Sequence, residues 1–288
     1  MMQNSFFKNE YTVNCKGRLL DLAEPKVMGI LNITPDSFFD GGKFTEEKSI
    51  ARQVKKMLDE GAAIIDIGAV STRPGAKEVS EKEELKRLMP VLENLVKKFP
   101  GVIFSVDTYR SGVARKAVES GAAIINDISG GNFDKKMFET VGELKVPYIL
   151  MHIRGTPTTM QQNPVYKNVV KELIIYFSEK IVQLKDHRVN DIIIDPGFGF
   201  GKTLEHNFEI LRKLSLFKML DCPLLAGMSR KSMINKVLKT SPENALNGTT
   251  VLNTIALMNG ANILRVHDVK PAKEAIELFK FYAKQSVK

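Results

Sequence analysis

Short apolar runs recur along this chain at regular intervals, and helix-period segments separate them. The runs are Val27–Leu31, Ala62–Ile67, Val102–Val106, Ala122–Ile125, Val146–Met151, Ile192–Ile194, Pro223–Gly227 and Asn262–Val266. Each reads as a parallel strand buried on both faces. Between them, apolar residues return every three or four positions. Ile50, Val54, Met57 and Leu58 line one helical face, and Val169, Leu173, Phe177, Ile181 and Leu184 line another. Ser80 and Glu83 form a capping-box pattern ahead of Leu85, Leu88, Leu92 and Leu95, in a segment that Pro90 is expected to kink or stop early. Residues 1–25 read as a β-hairpin that turns at Lys16-Gly17. Strand–helix alternation without a long linker predicts an α/β fold, a closed (β/α)8 TIM barrel over residues 26–288 with the hairpin as an extension. A doubly wound open sheet is the alternative.

One phrase occurs three times: Gly61-Ala-Ala-Ile-Ile-Asp66, Gly121-Ala-Ala-Ile-Ile-Asn126 and Gly260-Ala-Asn-Ile-Leu-Arg265. Its glycine suits a left-handed helix end, and its last residue falls near the carboxyl end of a strand. Ligands of parallel barrels and sheets sit at those ends. The eight ends carry Asn32, Asp66, Asp107, Asn126, His152, Asp195, the run Ser229-Arg230-Lys231-Ser232, and Arg265 with His267. One strand-end Asp reads equally well as a helix cap or turn former. Eight polar ends on one rim do not. They offer carboxylates and amides for a nitrogen-rich ring edge, and Lys, Arg and His for an anion. The loops Asn32-Ile-Thr-Pro-Asp-Ser-Phe-Phe-Asp-Gly-Gly and Ser71-Thr-Arg-Pro-Gly-Ala combine hydroxyls, proline and glycine, a composition that suits lids over a reacting centre. The plainer reading is an ordinary surface loop.

Composition narrows the field. A chain of 288 residues with 43% hydrophobic content can bury a sizeable core. No apolar run approaches the roughly 20 residues that span a bilayer, and the first residues lack the pattern of a secretory signal, so no membrane partner and a cytoplasmic setting are expected. Cys15 and Cys222 show no metal-ligand spacing. The net charge of +9 is spread over many helix faces. Without a dense basic run or a nucleic-acid-binding motif, it reads as a lysine-rich surface or a field for small anions, and no nucleic-acid partner is expected. Asp195-Pro-Gly-Phe-Gly-Phe-Gly-Lys202 fails both phosphate-loop patterns. Pro196 stands where the first Gly of a P-loop belongs, and Lys202 replaces the last Gly of a dinucleotide fingerprint.

Eight segments in order carry a resemblance over nearly the whole chain. They are Met28-Gly-Ile-Leu-Asn-Ile-Thr-Pro-Asp-Ser-Phe, Asp66-Ile-Gly-Ala-Val-Ser-Thr-Arg-Pro-Gly, Ser105-Val-Asp-Thr, Ile125-Asn-Asp-Ile-Ser-Gly-Gly, Met151-His-Ile-Arg-Gly, Asp195-Pro-Gly-Phe-Gly-Phe-Gly-Lys, Ser229-Arg-Lys-Ser and Arg265-Val-His-Asp-Val. Together they resemble the dihydropteroate synthase family of folate biosynthesis, the target of sulfonamide drugs. The resemblance implies a (β/α)8 barrel, usually a homodimer. The implied reaction is condensation of 6-hydroxymethyl-7,8-dihydropterin diphosphate with 4-aminobenzoate, giving 7,8-dihydropteroate and pyrophosphate. Early expulsion of pyrophosphate would let the weakly nucleophilic amine meet a pterin-stabilised cation. By position, Asp195 and Asn126 are implied at the pterin's amino-pyrimidine edge, Asp107 beside the ring, Lys231 at its carbonyl side and Arg265 across its face. Asp107, Lys231 and Arg265 are the implied catalytic residues. Asn32 is the implied Mg²⁺ ligand; with it, Thr72, Arg73, Arg265 and His267 form the implied diphosphate site. Thr72, Arg73, Pro74, Phe200, Lys231 and Ser232 are implied around 4-aminobenzoate.

The chain departs from the family pattern at Ala69-Val70, where Gly-Glu is usual. The substitution removes a carboxylate and some backbone freedom near the second loop. Two other functions share parts of this pattern. A pterin-binding corrinoid methyltransferase on the same barrel needs the Asp and Asn of the pterin edge but not Arg73, Ser229-Arg-Lys-Ser or Arg265-Val-His267. A non-catalytic pterin-binding protein would show a broken anion or metal site, whereas Asn32, Arg73, Lys231 and His267 are all present.

Overall fold

The computed structural model describes residues 11–33, 43–70 and 79–285. Eight parallel strands form one sheet: β3 (Lys26–Asn32), β4 (Ile64–Gly68), β5 (Ile103–Asp107), β6 (Ile124–Asp127), β7 (Tyr148–Met151), β8 (Ile192–Asp195), β9 (Leu225–Ala226) and β10 (Ile263–Val266). Their order, β8-β7-β6-β5-β4-β3-β10-β9, is sequential around a ring. The ends of the row meet through a parallel bridge between Ile194 and Leu224, where Ile194 N donates to Pro223 O at 2.9 Å. This closure, through the brief β9, excludes the open-sheet alternative. Helices α1 (Lys43–Asp59), α2 (Glu81–Lys98), α3 (Ser111–Glu119), α4 (Met137–Leu144), α5 (Val169–Asp186), α6 (Leu204–Arg212), α7 (Ser232–Leu238), α8 (Leu246–Met258) and α9 (Val269–Gln285) occur among the described residues. The stripes read from the sequence face inward: Ile50, Val54 and Met57 are buried, as are Val169, Leu173, Phe177, Ile181 and Leu184.

Apart from β3, which begins one residue earlier at Lys26, and β8, which begins with its run, the strands begin one or two residues later than their apolar runs; several end later, so that Asn32, Gly68, Asp107, Asp127 and Asp195 are still paired. Helix α2 corrects an expectation. It continues through Pro90 to Lys98 instead of stopping. Pro90 and Lys86 are both exposed, so water can satisfy the Lys86 carbonyl that loses its donor, while buried Leu88, Leu92 and Leu95 hold the helix down. The cap at Ser80 is one-sided: its hydroxyl accepts from Glu83 N at 3.3 Å, but the Glu83 carboxylate takes Arg87 instead. A reciprocal box forms at Thr203 and His206, where an imidazole replaces the usual Glu or Gln.

The hairpin consists of β1 (Thr12–Cys15) and β2 (Arg18–Asp21), antiparallel and joined at Lys16-Gly17. Both turn residues have positive φ, 53° and 85°, as a two-residue turn between right-twisted strands requires. Its Val13, Cys15, Leu20 and Leu22 pack with Met28, Ile64, Ile103, Ile124, Ile149, Ile193, Leu225 and Ile263, the first inward residues of the barrel strands. The hairpin therefore plugs the floor of the barrel, and the open end lies at the strand carboxyl termini. Leu22 is fully buried in this plug. Truncation to Leu22→Ala is expected to cost about 2–5 kcal/mol in urea unfolding, in one cooperative transition. A cost near zero, or a separate early transition, would show a hairpin merely resting on the barrel.

Candidate active site

Above the apolar floor, the inward positions turn polar. Register places Asn32 opposite Gly68, Gly68 opposite Asp107, and Asp107 opposite Asn126, in one row across β3, β4, β5 and β6. One turn of the pleat deeper lie Asp66 and Ser105, paired in register and fully buried. The third repeat of the glycine phrase supplies the cation that balances this acidic quarter. Arg265 Nε donates to Asp66 Oδ2 at 2.7 Å, and Arg265 Nη2 donates to Asp107 Oδ2 at 2.8 Å. Asn126 Nδ2 reaches the same Asp66 oxygen at 3.0 Å. Thus the three polar residues that end the repeated phrase, far apart in sequence, form one hydrogen-bonded cluster.

The electrostatics follow from this packing. Burial pushes the Asp107 carboxyl up to about 7; the Arg265 guanidinium opposes that rise and neighbouring Asp66 adds to it. Burial works against the Arg265 charge, but Asp66 and Asp107 more than reverse it and hold the guanidinium above its ordinary value. Asp66 Oδ1 and Ser105 Oγ are buried without a hydrogen-bond partner, two polar atoms that a polar ligand or water could satisfy. Two strand-end glycines keep this mouth open. A Cβ on Gly68 would lie 3.6 Å from Asn32 Oδ1 and 3.9 Å from Asp107 Oδ2, and one on Gly227 would lie 3.8 Å from Asp195 Oδ2.

Asp195 ends β8 and is buried. Its Oδ1 accepts from Gly197 N at 2.8 Å; burial raises its pKa, and Lys231 opposes the rise. From the loop after neighbouring β9, Lys231 Nζ donates to Phe198 O at 2.5 Å and lies 4.6 Å from the centre of the Phe200 ring. Burial lowers the Lys231 ammonium to about 8, while Asp195 holds it up. His267 Nδ1 lies 3.0 Å from Ser229 Oγ, and the same hydroxyl accepts from His267 N at 3.2 Å. Ser232 opens α7 and is exposed. Thr72, Arg73 and Pro74 lie outside the described residues, as do most of both rim loops; Ala69 is buried and Val70 partly so. The structure thus brings together Asp107, Asn126, Asp195, Lys231 and Arg265, with Asn32, Phe200 and His267 around them.

Sequence reading placed Asp66 on the rim without a task, though it is the group most tightly bound to Arg265. Its position in the repeated phrase was the available signal. Ser229, which holds His267, and Lys202, buried against His152, lie inside motifs quoted from the sequence, but neither has a role assigned there.

Comparison with known proteins agrees with this geometry. Residues 28–267 match the family model described as pterin binding enzyme. Dihydropteroate synthase of Escherichia coli strain K12 is 45% identical over 265 residues, covering 91% of this chain and 93% of that protein. The structure of Yersinia pestis dihydropteroate synthase in a sulfonamide drug complex superposes with a TM-score of 0.89 at 41% identity, covering 96% of this chain and 100% of the other. That of Xanthomonas albilineans dihydropteroate synthase with 4-aminobenzoic acid gives 0.88 at 38% identity, over 97% and 100%.

Removing the central cation should expose the acidic cluster. Arg265→Met is expected to destabilise the fold by about 3–5 kcal/mol at pH 8, because a buried pair loses one partner. Asp107 already has a raised folded pKa, so the folded state holds the extra proton, and stability falls as pH rises from the ordinary carboxylate range through about 7. The variant's deficit should therefore shrink at pH 5. Denaturant unfolding at both pH values checks this; a deficit that is equal at the two would contradict it.

Proposed function

The chain belongs to the pterin-binding enzyme family, and on that premise we propose how its site works: it has dihydropteroate synthase activity, joining 6-hydroxymethyl-7,8-dihydropterin diphosphate to 4-aminobenzoate with release of pyrophosphate. The observation that carries the reading is the Asp66–Arg265–Asp107 bridge, with Asn126 bonded to Asp66 and with Asp195 and Lys231 on the adjoining β8–β9 side of the ring. An amino-pyrimidine edge presents donors, and Asp195 and Asn126 offer the matching carboxylate and amide. Lys231 meets the ring carbonyl, and Arg265 lies across the ring face. Asp107 binds beside the ring and offsets the positive charge that develops when the C–O bond to diphosphate breaks. The lone pair of the 4-aminobenzoate nitrogen then forms the new C–N bond, and the nitrogen loses a proton. Fixed charges held by the barrel strands act without the reorganisation that water would need.

The diphosphate falls to Asn32, Thr72, Arg73, Arg265 and His267, and 4-aminobenzoate to Thr72, Arg73, Pro74, Phe200, Lys231 and Ser232. Sulfonamides would compete at the latter. Among the described residues, no cluster of three His, Cys, Asp or Glu could hold a metal. Asn32 suits a Mg²⁺ that brings most of its oxygens as water and diphosphate, since such an ion needs only one or two protein ligands. When bound, it would neutralise the leaving group. We place the enzyme in the cytoplasm, a reducing compartment that suits the buried free thiols Cys15 and Cys222. A homodimer is the proposed assembly. A groove between α8 and α9, about 1050 Å³, is lined by Met258, Leu278 and Tyr282, which are exposed together with neighbouring Phe281. Leu278→Glu is expected to shift sedimentation from dimer to monomer, and an unchanged monomer in the wild type would remove this assembly.

Pyrophosphate release from the pterin diphosphate with Mg²⁺, followed with and without 4-aminobenzoate, tests the activity. Stoichiometric pyrophosphate and dihydropteroate are expected; pterin binding without product would overturn the reading. In the same assay Asp107→Asn is expected to cut turnover by at least ~100-fold, the scale of one preorganised group at a reacting centre. Wild-type turnover should climb as pH rises through about 7, where Asp107 ionises, and the variant should lack that limb. Near-normal turnover in the variant would take Asp107 out of the mechanism.

A further inference from the structure

The loop after β8 has no regular secondary structure, yet every carbonyl from residue 197 to residue 201 accepts a side-chain donor. Lys202 Nζ donates to Gly197 O and Phe200 O, each at 3.0 Å; Lys231 takes Phe198 O at 2.5 Å, Gln161 Nε2 takes Gly199 O at 2.8 Å, and the Tyr166 hydroxyl takes Gly201 O at 2.8 Å. Asn207 Oδ1 accepts from Gly199 N at 2.7 Å. The loop is pressed against the chain leaving β7: a Cβ on Gly197, at φ +71°, would stand 2.1 Å from His152 O. A loop that must approach another backbone so closely, with few internal hydrogen bonds, depends on outside donors for its shape.

Lys202 is the donor on the buried side. It is 3% exposed, and its ammonium also contacts His152 O at 3.2 Å and His152 Nδ1 at 3.1 Å. All four partners are neutral groups. Burial pushes the Lys202 pKa well below its ordinary value, and the donor and acceptor roles of Nζ and Nδ1 follow the His152 tautomer. Burial, with Lys202 nearby, lowers the His152 pKa to about 2 and keeps the ring neutral. A buried amine whose hydrogen-bond partners are all neutral is a poor source of stability, and its hydrogens are committed to the loop and the β7 end.

Resting on the activity argued above, we propose that Lys202 is a positioning residue for the second substrate. It sets the carbonyls of Gly197 and Phe200 so that the Phe200 ring, with Lys231 over it, stands as a fixed wall of the 4-aminobenzoate site. Lys202 itself touches neither substrate. The pterin half of the site rests mainly on strand residues, Asp107, Asn126 and Arg265; Asp195 and Lys231 meet this loop only at Gly197 N and Phe198 O, neither of which Lys202 bonds.

The test is Lys202→Met, which keeps the chain length and removes the donors. The KM for 4-aminobenzoate is expected to rise by roughly tenfold or more, the scale of lost buried hydrogen bonds. The Kd of the pterin diphosphate should change far less than that KM, since Asp107, Asn126 and Arg265 stand on strands and Lys202 bonds neither Gly197 N nor Phe198 O. Amide exchange should accelerate in residues 197–203 and not in the barrel strands. An unchanged KM, or exchange rising throughout the barrel with both substrates weakened equally, would overturn the proposal. If that variant does not fold, Gln161→Leu removes the exposed donor alone; a KM rise without loss of pterin binding supports the loop's role, and an unchanged KM overturns it. Wild-type protein that makes no dihydropteroate would sink the activity instead, leaving the exchange pattern to decide whether Lys202 orders the loop.

Discussion

A guanidinium held between two carboxylates is the constraint on which the rest of the mouth depends. Asp66, Asp107 and Arg265 come from three strands, and none could be buried here alone. Pairing permits the burial, and the geometry leaves each partner a task. Asp66 is shut away and anchors the arginine, while Asp107 and Arg265 keep edges towards the opening. A site that handles a cationic ring and an anionic leaving group needs both signs of charge fixed a few ångströms apart. In water such groups would be screened and mobile. Here the barrel strands hold them.

Around this bridge the site divides by how it is supported. The pterin half, Lys231 apart, is carried on strands whose register is fixed by the apolar floor and its hairpin plug. The half assigned to 4-aminobenzoate is carried on loops, and these are tied by side chains. Arg230, in a left-handed conformation at φ 56°, makes two bonds to Asp268 and two more to the carbonyls of Pro242 and Glu243. It thereby fixes the loops after β9 and β10 to each other and to the segment before α8. Lys202 does the same for the loop after β8. Rigid chemistry thus sits on strands, and adjustable contacts sit on loops that are braced from behind.

Much of this was legible in the sequence because the signals were local. The phrase Gly-Ala-Ala-Ile-Ile carries both a helix end and a buried strand, so Asp66, Asn126 and Arg265 could be set at equivalent positions before any contact was known. What the sequence could not display was pairing. That Arg265 grips Asp66 and Asp107, and that Lys202 turns inward to His152, depends on the radius of the closed ring and the staggering of its strands. The early stop that local rules allowed at Pro90 did not occur, because outward placement and tertiary packing outweighed the missing hydrogen bond. The cap at Thr203 was missed because an imidazole did the work expected of Glu or Gln. Thr72, Arg73 and Pro74 rest on motif resemblance, since they fall outside the described residues.

The central claim is that Arg265 and Asp107 act as one unit on the pterin diphosphate. The most direct measurement is a double-mutant cycle, Asp107→Asn and Arg265→Met singly and together, read as kcat/KM for the pterin diphosphate. If the pair is one device, the double variant loses little beyond the worse single variant, a coupling of about 1 kcal/mol or more. Losses that simply add would mean two independent contacts and would contradict the account.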